Sequence, residues 1–170
     1  MKNLTLGLLF VLLPAFAIGQ NTAVQKLFEK YGGKDGFTTV TINKSLFKMV
    51  SQLDEEDEDL QALSGIESIK ILAVEEEGEY SGVNFYKEVY ADLKGANYEE
   101  LMTVNSSDSD VVFLANQDGD TILELILLVG GEGDDNALIY IAGKIKMNDV
   151  AKIAKSMGVD DGGQMHVPGL

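Results

Sequence analysis

The sequence predicts an α+β fold, one antiparallel-rich sheet of about six strands with helices packed on it in a single domain. Three observations carry this prediction. Helical and strand periodicities alternate along the chain, the second half reads as successive strands, and one long strand is apolar on almost every residue.

Val24, Leu27, Phe28 and Tyr31 recur at helical spacing, and Gly32-Gly33 supplies the stop. Residues 37–42 follow as a short strand. Asn43 suits the cap of a second helix, whose apolar positions Leu46, Phe47, Val50 and Leu53 fall on one side. That helix runs into the densest charge run, residues 54–59, and then 66–74 reads as a strand and 75–79 as an acidic loop. A third stripe, Tyr86, Val89, Tyr90 and Leu93, closes at Gly95.

Residues 98–104, 111–115, 121–129 and 137–145 read as strands, with Asp118-Gly119 as the favoured turn pair between the second and third of them. In 121–129, Leu123, Leu125, Leu127 and Val129 point one way, and Ile122, Glu124, Ile126 and Leu128 the other. One face is thus wholly apolar and the other mostly so, as in an inner strand under helices. A last helix is expected between its cap Asn148 and Gly158, with Val150, Ile153, Ala154 and Met157 packed over that apolar face. The Gly- and Asp-rich residues 160–170 read as a flexible tail, so the domain proper is 20–159. Strand-then-helix recurs at 37–53 and 66–93, but shared periodicity does not establish an internal repeat.

Residues 1–19 have the parts of a secretory signal peptide: Lys2, an apolar run over 4–18 and small residues at its end. The run is shorter than the about 20 residues that span a bilayer, and Pro14 interrupts it. Cleavage is expected between Gly19 and Gln20, which makes the protein exported, periplasmic or extracellular. With no cysteine there is no disulfide, thiol nucleophile or lipid-accepting Cys, so no lipid anchor is expected.

The chain has 13 lysines, no arginine and 28 acids; losing Lys2 leaves 12 lysines and moves the net charge from −15 to −16. Nucleic acid is excluded as a partner on these grounds, because its recognition depends on clustered Lys and Arg. Anionic membrane surfaces are disfavoured likewise.

Catalytic constellations are not found. The single histidine, His166, lies in the tail, where a general base is not held within reach of a target. Neither a Gly-x-Ser-x-Gly elbow nor a His-Glu-x-x-His pair occurs. Glu124 is the acid that stands out, since it interrupts an apolar strand. A two-carboxylate hydrolase would need such an acid in apolar surroundings, whereas a structural role would have it on the less covered face or paired with Lys144 across the hairpin. Gly130-Gly131-Glu132-Gly133 lacks the Gly-Lys-Ser/Thr of a phosphate loop and reads as a hairpin loop.

No cofactor or transition-metal site is expected. Weak calcium binding stays open for the acidic runs 54–59, 108–110, 118–120 and 132–135, none of which fits the twelve-residue calcium loop. Tyr80, Phe85, Tyr86, Tyr90 and Tyr98 are either the lining of a ligand groove or, as their partly helical spacing favours, core.

Leu27-Phe28-Glu29-Lys30-Tyr31, the strand 37–42, and the segments 85–101 and 121–157 resemble the bacterial exported family known as domain of unknown function 4252. The likeness spans residues 23–158 and implies an envelope or secreted location, with no known activity or ligand. Members of that family are often predicted lipoproteins, a form from which this chain departs by lacking the acceptor Cys. The function expected is therefore a non-enzymatic binding or envelope-interaction module, whose partner is an envelope protein or small molecule. The alternatives are a carboxylate-based hydrolase of an envelope polymer and a structural or signalling envelope component.

Overall fold

The computed structural model describes residues 22–75, 82–131 and 136–150. The predicted signal segment with its cleavage between Gly19 and Gln20, the acidic loop beyond Glu75 with Tyr80, residues 132–135, the last helix beyond Val150 and the tail with His166 lie outside the described residues.

Helix α1 (Thr22–Tyr31) leads to β1 (Phe37–Asn43), α2 (Lys44–Ser51), α3 (Glu58–Ala62), β2 (Ile66–Val74) and α4 (Phe85–Lys94). Four strands follow: β3 (Glu99–Asn105), β4 (Ser109–Asp118), β5 (Thr121–Gly131) and β6 (Ala137–Lys146). All six strands form one sheet in the order β1-β2-β6-β5-β4-β3, and every neighbouring pair is antiparallel. The α+β expectation is met.

Helices cover both faces. On one face Leu72, Leu138, Leu128 and Val112 form a cross-strand row through β2, β6, β5 and β4, all at 0% exposure. Val24 and Leu27 of α1 and Phe85, Val89 and Leu93 of α4 close over it. Burying each such side chain is worth about 1.5–3 kcal/mol, so this row anchors the two helices. On the other face Phe47 of α2 and Leu63, after α3, pack on Ile69, Leu125, Ala115 and Ile145.

Local chemistry explains the helix ends. The Gly32 N–H donates to the Phe28 carbonyl at 2.9 Å, and Gly33 takes φ 73°, a conformation costly for residues with a Cβ. At the start of α4 the Asn84 side chain accepts from the Lys87 N–H at 2.9 Å, and Asn136 Oδ1 accepts from the Phe85 N–H at 2.9 Å. Two otherwise orphaned helix donors are thereby satisfied.

Several sequence expectations are corrected. In α2 the inward residues are Phe47, Val50 and Ser51, while Leu46 and Leu53 of the predicted stripe are 49% and 79% exposed. Asn43 precedes α2 without a side-chain cap bond. The charge run 54–59 is not only a turn: Asp57 Oδ1 accepts from the Leu60 N–H at 3.2 Å and starts α3. Gly130 and Gly131 belong to β5 and not to a hairpin loop. A Cβ on Gly130 would stand 2.4 Å from the Tyr86 Cβ, so its bareness lets α4 lie close on the strand. The β4–β5 turn is Gly119-Asp120 between the paired Asp118 and Thr121, with Gly119 at φ 58°. Asn148 lies inside a short 3-10 turn, Met147–Asp149.

The most consequential correction concerns β5. A bulge between Ile122 and Glu124 moves Ile122 onto the face of Leu125. Glu124, Ile126 and Leu128 stay on the α1 and α4 side, which is the more completely covered one: Ile126 and Leu128 are fully buried and Leu127 only half-buried.

Candidate functional site

A cleft of about 800 Å³ opens between α1 and the sheet. Its floor is a second cross-strand row on the face of Leu128, formed by Ser68 (β2), Ala142 (β6), Glu124 (β5) and Asn116 (β4). Three inter-strand steps make this row about 14 Å long. Val24, Gln25, Phe28 and Glu29 of α1 form the opposite wall. The gap has a simple cause: Ser68 and Ala142 are small where the neighbouring row carries Lys70, Tyr140, Ile126 and Leu114.

The row also marks where the sheet stops being regular. Register breaks fall between Ile66 and Ser68, between Ile122 and Glu124, and between Asn116 and Gln117. Each of the four floor residues is thus the last regularly paired one before a bulge. Bulges on three successive ladders bend the strands at one level, and such features re-aim side chains beside binding sites. Gly143 belongs to this level, since a Cβ there would stand 2.3 Å from the Gly65 carbonyl oxygen.

Glu124 is the centre of the polar floor. Its Oε2 accepts from the Tyr98 hydroxyl at 2.5 Å and from Asn116 Nδ2 at 3.2 Å, and its Oε1 accepts from the Tyr140 hydroxyl. The predicted pairing with Lys144 is replaced: Lys144 lines the cleft but forms no ion pair among the described residues, and Glu124 lies opposite Ala142. Nor is Glu124 on a bare face. Hydrogen bonds to a charged acceptor are worth about 1.5–3 kcal/mol each, so three of them hold the carboxylate in one orientation.

The donors are durable. Burial, and then the bond to Glu124, push the Tyr140 hydroxyl far above its usual range, so it keeps its proton. Tyr86 is pushed up to about 12 by burial and by its bond with Tyr90. A group whose pKa is raised on folding lends stability that is fully present below its unfolded value and lost as pH rises through the folded one. Between the ordinary value of 10.0 and about 12, stability should therefore fall as the unfolded chain loses tyrosine protons first. Tyrosinate absorbance, followed with circular dichroism during an alkaline titration, checks this: absorbance rising freely from pH 10 in the folded protein would contradict it.

The other aromatic candidates divide. Phe85 is core, with its ring 5.4 Å from Tyr31 and 6.5 Å from Phe37. Tyr86 stacks on Tyr90 at 4.4 Å. Of the described candidates only Tyr98 reaches the site, through Glu124. Val24, Phe28, Ser68, Tyr140 and Ala142 are site residues that sequence reading missed; the alternation of 137–145 places Tyr140 beside Ala142's face, but not opposite Glu124. Among the described residues no group of three or more acidic or histidine side chains converges to hold a metal ion. No described helix is long and apolar enough to cross a membrane.

Sheet, helices and cleft define an α+β domain with one polar anchor set in a partly apolar groove. The model of the family described as Domain of unknown function (DUF4252) matches residues 31–153, and the chain belongs to that family. No curated protein and no solved structure matches it.

Proposed function

We propose that the protein is an exported, non-enzymatic binding module whose ligand occupies the cleft over Glu124. One observation carries this reading: the coincident bulges and the row Ser68, Ala142, Glu124, Asn116 place an oriented carboxylate at the floor of an apolar-walled space large enough for a small molecule. Export rests on the segment ahead of Gln20, and release without a lipid anchor on the absence of cysteine.

The hydrolase alternative is less well supported. Glu124 is engaged as an acceptor of three hydrogen bonds, which hold it as an anchor and not as a donor towards the cleft. Of the other carboxylates there, Glu29 is exposed and accepts from Gln25 at 2.8 Å, and Glu67 is exposed and pairs with Lys44 at 3.4 Å. Neither has the apolar surroundings that keep an acid protonated near neutral pH.

A fragment library screened by NMR on the labelled mature chain tests the reading. Shift changes should cluster on Phe28, Ser68, Asn116, Glu124 and Ala142, and Ser68→Trp, which fills the groove, should abolish them. Scattered or absent changes, or hydrolysis of peptidoglycan fragments by the same preparation, would sink it.

A further inference from the structure

We infer that the cleft selects a ligand carrying a protonated amine, with the ammonium seated on Glu124 and an apolar body lying along α1; the inference rests on the binding-module reading.

Tyr98, Asn116 and Tyr140 are neutral donors, and they orient the Glu124 carboxylate without neutralising it. A carboxylate offers about four acceptor positions, and these bonds take two on Oε2 and one on Oε1. The position left on Oε1 belongs to a side chain that lines the open cleft. No lysine among the described residues comes within 4.0 Å of the carboxylate. A half-buried anion of this kind, set against an apolar wall, attracts a cation more strongly than it would in water, because the wall lowers the local dielectric.

The two lysines of the cleft are placed for other tasks. Lys70 extends over the Phe28 ring, with Nζ 5.9 Å from its centroid, and Lys144 is exposed. Opposite the anchor, Val24 and Phe28 offer an apolar wall, and Gln25 and Glu29 lie on the same helix beside them. Shape and polarity therefore suit a small amphiphile with a cationic end. The charge of the whole chain, −15, also favours approach of a cation over an anion.

Matched probes test this on the mature protein. Octylammonium, octanol and octanoate share one apolar body and differ at the end. Calorimetry at physiological salt should rank octylammonium about tenfold or more ahead of both others. Glu124→Gln keeps the shape and a carbonyl acceptor for one of the two tyrosine hydroxyls, with its NH2 turned to the other, and should bring octylammonium level with octanol. Octanol binding as well as octylammonium would overturn the inference while leaving a binding cleft in place. Octanoate ahead would overturn it in favour of Lys70 and Lys144. Failure of all three to bind would overturn it too, with the fragment map deciding separately whether the cleft binds anything. The ranking on the unmodified protein decides the matter even if Glu124→Gln does not fold.

Discussion

Phe85→Ala is expected to lower stability by about 3–5 kcal/mol, a large share of what an ordinary domain possesses. Phe85 is fully buried as the first residue of α4, and its ring meets Tyr31 of α1 and Phe37 of β1. Truncation removes the contact shared by those three elements and leaves a cavity that α4 cannot fill, because the Asn84 cap and the Asn136 bond fix its start. Urea unfolding measures the loss. The same experiment separates the two sides of β5: Leu128→Ala, at a site with 0% exposure, should cost more than Leu127→Ala, whose side chain is half-buried. A larger loss for Leu127→Ala would mean that the main core lies on the opposite face.

That ranking reverses what alternation along the strand suggests, and the reason is physical. The side of β5 with Leu123, Leu125, Leu127 and Val129 looks more apolar, but sheet faces are covered according to where α1 and α4 dock, which depends also on Leu72, Leu138 and Val112 in three other strands. Local periodicity was sufficient for β2, whose bounds coincide with the predicted 66–74, and for the stripe of α1 with its terminal glycines, while in α4 it found Val89 and Leu93 but left the fully buried Phe85 out of the stripe. It was insufficient for α3, which has five residues, too few to show a period, and which depends on one Asp57 cap within a charge run.

The site was legible only at its centre. Glu124 drew attention because a charge amid Leu and Ile has to be stabilised by something. Its partners were not readable, since Tyr98 and Tyr140 stand 26 and 16 residues away and reach it from opposite sides of β5 in the folded sheet, Tyr98 from ahead of β3 and Tyr140 from β6. Lys144 lies two residues beyond the true partner. The regular pairing that runs from Val129–Ala137 to Leu125–Ile141 puts Ala142 opposite Glu124, and the exact register of a hairpin with a long loop is not marked in the sequence.

Native mass spectrometry of protein purified gently from the envelope fraction of its own host tests both export and occupation of the cleft over Glu124. The expected species is a chain that begins at Gln20, bears no lipid and holds a small molecule which collisional activation releases. Ser68→Trp, isolated in the same way, should be folded and free of that mass. A chain retaining residues 1–19, or wild-type and Ser68→Trp proteins that carry the same adducts or none, would contradict that expectation.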